Sequence, residues 1–319
     1  MTNFLPAFLE KSSELTLFAG VMIRFVDMCV KSFLLSSLLL LSCTPCTVGC
    51  DTQPSEAGAQ RDEVTDWMEL PELGDGLVFV THPMEMDGKS LRNYSYAWDK
   101  YNLVARWVAY PMNTKIKSGK GGRSEQWGLD PKLPEDDQPV LFNTYSGKKW
   151  SRGHQIPSGD RKIYKYNVET FYGVNMTPQN YTLNGGIWAK LEEYVRNRCD
   201  SFDTLYVVSG CTLEGSLGKV YDNVGKAVTI PGGYFKALLG YDRSGHIGKT
   251  GSQQGFTGIA FFLENKAIQG QNFLDYSMTI SELEEKVGIN FFANLPLKID
   301  SAADKVESSR DGWWYQANQ

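Results

Sequence analysis

From residue 77 onward, short runs of β-branched and aromatic residues alternate with Gly, Pro and charged residues. Leu77-Val78-Phe79-Val80 reads as a strand. Residues 94–98 and 103–110, separated by Asp99-Lys100, predict a hairpin. Short strands are also expected at 171–175, 204–209, 227–230, 234–239 and 255–263. Helical spacing is clearest over 183–198, where Ile187, Leu191, Tyr194 and Val195 are the apolar positions. Ser281, with Glu284 three residues on, predicts a capping-box helix, and Phe291-Phe292 should pack in the core. Residues 111–139 hold many Gly, Pro and charged residues and form a long loop region, of a kind that often carries function. Strands predominate and helices intervene without a βαβ rhythm, which predicts an α+β fold. A hydrophobic content of 42% suits a globular domain, and the 13% aromatic content suits a β-rich core.

The N-terminal region follows a different pattern. Residues 32–42 are a short apolar run after Arg24 and Lys31, too short to span a bilayer comfortably. Leu-Leu-Ser before Cys43 resembles a bacterial lipoprotein processing site, with Cys50 as a second candidate and an uncleaved anchor as the alternative. The expected division is a lipoprotein-type signal peptide over 1–43, an acidic flexible linker over 44–76 and the main folded domain over 77–319. The protein would be exported, then held in a bacterial cell envelope by lipid on Cys43 or secreted. Only Cys199 and Cys211 fall within the domain. A helix running back along a strand would hold them too far apart to bridge.

Charge refines this picture. The net charge of −5 argues at first against a polyanionic partner. Residues 51–76, however, hold eight acids against one base, whereas 146–198 hold nine Lys and Arg against four Asp and Glu. A basic patch in an otherwise near-neutral domain is compatible with nucleic acid and equally with a solvated charged face.

Candidate chemistry lies inside that basic stretch. Phosphodiester hydrolysis needs an activated water, charge neutralisation at phosphorus and help for the leaving oxygen. A neutral histidine, arginines and a metal ion can supply these. His154 lies between Arg152-Gly153 and a polar loop, where a catalytic base and a structural histidine are both open readings. His82, before Pro83, and His246, in a Gly-rich loop, are expected at the surface. Asn184, Trp188, Glu192 and Arg196 form an i, i+4 row, so ligand, carboxylate and guanidinium would share one broad helix face. A helix-capping asparagine with a surface Glu–Arg pair fits the same spacing.

Order and spacing add a resemblance. Ser151-Arg152-Gly153-His154, then Asn175-Met176-Thr177-Pro178-Gln179, then Leu183-Asn184-Gly185-Gly186-Ile187-Trp188 and Leu191-Glu192 resemble the signature of the DNA/RNA non-specific endonucleases. These are ββα-metal, or His-Me finger, nucleases related to mitochondrial endonuclease G. Weaker similarity continues through Tyr234-Phe235-Lys236 to Phe291-Phe292. The resemblance implies a mostly antiparallel central sheet flanked by helices, DNA and RNA as substrates, and Mg²⁺ as cofactor, with Mn²⁺ able to substitute. It also implies roles for single residues. His154 would be the general base, Asn184 the direct metal ligand, and Glu192 the anchor of a metal-bound water. Arg152, Arg196 and Arg123 would meet the phosphate, and Asn175 and Gln179 would shape the substrate site. Ser151 stands where the family has Asp, and Asp160 is a candidate to compensate. A nuclease-like protein that binds nucleic acid without cutting it is the alternative.

Overall fold

The structure, a computed structural model, describes residues 67–142, 144, 149–243, 255–295 and 313. The signal peptide, Cys43, Cys50, most of the acidic linker and His246 lie outside the described residues.

Strands β1 (Val78–Met86), β2 (Lys89–Asp99) and β3 (Val104–Met112) form an antiparallel meander. The pair β4 (Trp150–His154) and β5 (Met176–Asn180) comes next, with helix α1 (Tyr164–Glu169) between its strands. Helix α2 (Ala189–Arg198) leads into β6 (Thr204–Thr212) and the small pair β7 (Lys219–Tyr221) and β8 (Ala227–Thr229). Then come β9 (Gly233–Tyr241), β10 (Phe256–Glu264), β11 (Ser277–Met278) and helix α3 (Ile280–Val287). Seven strands build one sheet in the order β1-β2-β3-β6-β9-β10-β11, with every pairing antiparallel. This is the expected α+β architecture with a central antiparallel sheet.

The sheet carries a core on each face, so its central strands lose the apolar–polar alternation of a one-sided sheet. All nine residues of β6 are buried. Tyr96, Trp98, Val108 and Val207 pack with Ile187, Trp188 and Leu191 from the helical region on one face. Trp107, Tyr206, Val208 and Phe235 pack with Ile280, Leu283, Phe291 and Phe292 on the other. Helix α3 starts two residues earlier than expected: the capping box is Thr279 with Glu282, and Gly288 ends the helix at φ 66°. The folded body also begins before residue 77. Met68 is in the second core, and Glu69 is buried in an ion pair with Arg92. Cys199 and Cys211 are both buried and free, as expected.

Candidate active site

The segment with Arg152 and His154 is a strand, β4. Trp150–His154 pairs antiparallel with Met176–Asn180, with Ser151 opposite Gln179 and Gly153 opposite Thr177. The strand expected at 171–175 is instead a 3₁₀ turn over Gly173–Asn175, and the pairing residues are the five that follow. Glycine is required at 153, because a Cβ there would stand 2.2 Å from Gln179 Oε1. Asn175 clamps the end of the pair: Oδ1 accepts from Ile156 N at 3.0 Å, and Nδ2 donates to Ile156 O at 3.0 Å and Thr170 O at 2.8 Å. The resemblance implies that Asn175 and Gln179 shape the substrate site. Both are buried, so they build the wall behind the site.

The helix expected over 183–198 is interrupted. A single turn at Tyr181–Leu183 is followed by a π turn at Asn184–Trp188 and only then by α2. Gly186 takes φ −109° and ψ −108°, outside the helical region, so the i, i+4 row is broken at its start. Insertions of this kind concentrate at functional sites. Trp188 turns fully into the core, while Asn184, Glu192 and Arg196 stay half-buried. Asn184 is not the cap. Asn180 Oδ1 caps the turn, accepting from Thr182 N at 3.0 Å and Leu183 N at 3.2 Å. The Asn184 amide instead donates from Nδ2 to Ser151 Oγ at 2.9 Å, and that hydroxyl donates onward to Gln179 O at 3.2 Å. Its carbonyl oxygen has no hydrogen-bond partner among the described residues, which leaves a hard oxygen donor for a cation.

His154 stands at the end of β4 in an aromatic setting. Phe171 meets it edge-on at 5.1 Å between ring centroids, and Trp127 lies at 6.0 Å. Nε2 is buried without a partner. Burial, then the charges of Arg123 and Arg152, push the imidazole pKa down to about 3. The ring is therefore neutral at physiological pH, as a proton acceptor must be. Both arginines are held by aromatic rings and loop oxygens. Arg152 lies 3.7 Å from the centroid of Trp127 and donates to Leu141 O at 2.9 Å and Phe142 O at 2.6 Å. Arg123 lies 4.8 Å from the centroid of Phe171 and donates to Ser158 Oγ at 3.0 Å.

A second group of charges surrounds α2. Arg196 Nε donates to the buried Asp160 Oδ1 at 2.9 Å, and Tyr110 Oη donates to Oδ2 of the same carboxylate at 3.0 Å. Arg196 lies directly across Gly159, where a Cβ would stand 2.7 Å from Nη2. Asp160 therefore supports Arg196 and does not stand in for an acid at 151. Lys236 was noted in the sequence only as part of a weak similarity. It is fully buried, donates to Ser209 Oγ at 3.0 Å and lies 4.9 Å from the Trp188 ring. Burial raises the Glu192 carboxyl pKa, while the positive charge of Lys236 pulls it down. Burial is the larger effect, so the Glu192 carboxyl is lifted to about 7 and the Lys236 ammonium is lowered, each charge only partly offsetting the shift of the other.

His82 is not at the surface. It is buried, Nε2 lies 2.7 Å from Asp130 Oδ2, and its ring centroid is 4.8 Å from that of Tyr94. Tyr96 Oη donates to the same Asp130 oxygen at 2.6 Å, so His82 belongs to a satisfied interior network.

Residues 79–298 match the family described as DNA/RNA non-specific endonuclease. The chain is 30% identical over 259 residues to the mitochondrial nuclease EXOG of Danio rerio, covering 77% of this chain and 69% of that protein. A nuclease of Nostoc sp. is 32% identical over 219 residues, covering 68% of this chain and 76% of its own length. The fold is similar to that in the crystal structure of the EndoG/EndoGI complex, with a TM-score of 0.51, 20% identity, and coverage of 69% of this chain and 89% of that one. The family match encloses both segments of the site and the sheet behind them, and on that ground the chain belongs to the DNA/RNA non-specific endonucleases.

Proposed function

We propose that this protein is a divalent-metal-dependent, sugar-non-specific endonuclease that hydrolyses phosphodiester bonds in DNA and RNA. The observation that carries the reading is the divided use of the Asn184 amide. Its nitrogen is tied to Ser151, and its oxygen has no partner among the described residues. Among the described residues no group of three or more His, Cys, Asp and Glu could hold an ion. A cation bound here would therefore keep most of its waters, which suits Mg²⁺ and also Mn²⁺. Bound at Asn184 Oδ1, the ion would supply positive charge to the leaving 3′ oxygen.

The chain's own residues do the rest. Neutral His154 accepts a proton from the attacking water as its oxygen bonds to phosphorus. The bond to the 3′ oxygen breaks, and the phosphate stays on the 5′ side. Arg152, Arg196 and Arg123 offset the charge gathering on the phosphoryl oxygens. Glu192 would hold water of an ion bound at Asn184. Contacts to the backbone alone explain indifference to sequence.

Cleavage of plasmid DNA and of RNA by the full chain, with Mg²⁺ and with chelator, tests this reading. Metal-dependent cutting of both is expected. A folded protein that binds both nucleic acids and cuts neither would instead support the binding module. We further infer from the leader an envelope location through lipid on Cys43. A Cys43→Ala protein that still partitions with membranes would exclude that anchor.

A further inference from the structure

Tyr181 opens the turn that carries Asn184 and is 62% exposed, although it is one of the larger side chains in the region. Its backbone N–H donates to Lys149 O at 2.9 Å, which fixes the residue at the start of β4. Residues at i and i+3 are neighbours on a helix surface, so this aromatic ring stands one turn from the proposed metal ligand. Beside it opens a cleft of 460 Å³ lined by Tyr181, Gly185, Gly186, Lys190, Ile268 and Gln269. A Cβ added to either glycine would meet nothing within 4 Å, so this side of the cleft stays open. Lys190 is exposed and has no ion-pair partner among the described residues. Gln269, also exposed, offers both a donor and an acceptor.

Other tyrosines are as exposed, including Tyr101 and Tyr221. Tyr181 differs from them in its place: an aromatic face, an exposed lysine and an amide surround one cleft, one helical turn from Asn184. A nucleobase presents a flat π-face and a polar edge, and its backbone carries one negative charge per phosphate. Stacking on an aromatic ring needs a base that is free of its duplex neighbours.

We propose that this cleft is a nucleobase subsite. Tyr181 stacks on an unpaired base next to the phosphodiester under attack, and Lys190 contacts the adjoining phosphate. The inference rests on the nuclease reading above and adds a preference: single-stranded DNA and RNA are bound at this subsite and paired strands are not.

The test compares single-stranded and duplex oligonucleotides of one sequence, using the full chain and its Tyr181→Ala, Tyr181→Trp and Lys190→Ala variants. Tyr181→Ala should lower kcat/KM on the single strand roughly 5- to 100-fold, mainly through KM, because one base stack is lost. Its duplex activity and Tm should stay at the parent value, and Tyr181→Trp should keep single-strand activity. Lys190→Ala should reduce the salt slope of single-strand binding by about 0.7, the loss of one phosphate contact. Equal losses on both substrates, or no loss on either, would overturn the subsite. If the parent cuts nothing, the nuclease reading fails first. Fluorescence anisotropy with a labelled single-stranded oligonucleotide in chelator then decides the subsite, and Tyr181→Ala binding as tightly as the parent would sink it.

Discussion

Asn184 Nδ2 donates to Ser151 Oγ at 2.9 Å, joining the two sequence segments that carry the chemistry. The serine occupies the position of the family's aspartate and still performs a positioning task, because a hydroxyl can accept from the amide and donate to Gln179 O. What it lacks is charge. Ser151→Ala should free the Asn184 amide to rotate and forfeit about 1 kcal/mol of ordering. A roughly fivefold higher Mg²⁺ concentration for half-maximal cleavage is expected. Ser151→Asp keeps an acceptor and adds attraction for a cation, so its Mg²⁺ titration should move the other way. Coincident titrations for all three proteins would refute this role.

His154 should leave a signature in pH. Its folded-state pKa of about 3 lies below the ordinary 6.5, through burial and then through Arg123 and Arg152. Between those values the unfolded chain binds a proton that the folded chain does not, so stability falls as pH drops through that window. Urea unfolding of the parent and of His154→Asn at pH 7 and pH 4.5 checks the sign. Between pH 7 and pH 4.5 the parent should lose more stability than the variant. The acid limb of kcat/KM in the parent should lie below 6.5, and Arg123→Gln should move it upward.

The fold and the site were legible to different degrees. Strands β6, β9 and β10 announce themselves as runs of β-branched and aromatic residues, and the β2–β3 hairpin by the polar break at Asp99-Lys100. Strands β4 and β5 do not. Trp150–His154 holds Gly, Ser and Arg, and Met176–Asn180 contains Pro178, which argues against a strand interior. Each is a strand because the other is there to pair with it. His82 read as a surface residue because Pro83 follows it, yet the ladder is irregular between those two residues and Asp130 reaches the ring from 48 residues away. Lys236 reaches the site only through the pairing of β9 with β6, where it lies opposite Ser209. Local pattern carries no record of such contacts. The motif residues were legible as chemistry because their order and spacing are themselves a signal.

Gly153 gives a test of the wall behind the site. A methyl group there would meet Gln179 Oε1 at 2.2 Å and Gln179 Cβ at 2.7 Å, and the second of these atoms cannot swing away. Gly153→Ala should therefore destabilise the protein by about 1–3 kcal/mol, as overpacking generally does. Gln179→Ala removes the side-chain amide and carboxamide carbon that crowd the methyl, leaving only its own Cβ. The double variant should recover part of the loss, which a double-mutant cycle on urea midpoints would read. Full additivity of the two changes would mean that the steric account is incorrect.

Gly159 and Asp160 separate positioning of Arg196 from stability. Arg196 Nη2 would lie 2.7 Å from a Cβ at 159, but it is the far end of a flexible side chain and can move aside. Gly159→Ala should thus displace the guanidinium while leaving Tm within about 2 °C of the parent, as for changes worth under ~0.5 kcal/mol. Activity should fall about tenfold, the effect of losing roughly 1.4 kcal/mol of charge-assisted contact to the phosphoryl group. Asp160→Ala acts on both quantities. It releases Arg196 Nε and leaves the Tyr110 hydroxyl buried without an acceptor. A stability loss of about 1–3 kcal/mol should accompany a similar fall in activity. Arg196→Lys keeps the charge but not the fork, so it should recover binding to nucleic acid and not the rate. Asp160→Ala that retains both parent Tm and parent rate would show that Asp160 does not hold Arg196 in place, and Gly159→Ala that unfolds early would show that the guanidinium cannot move aside.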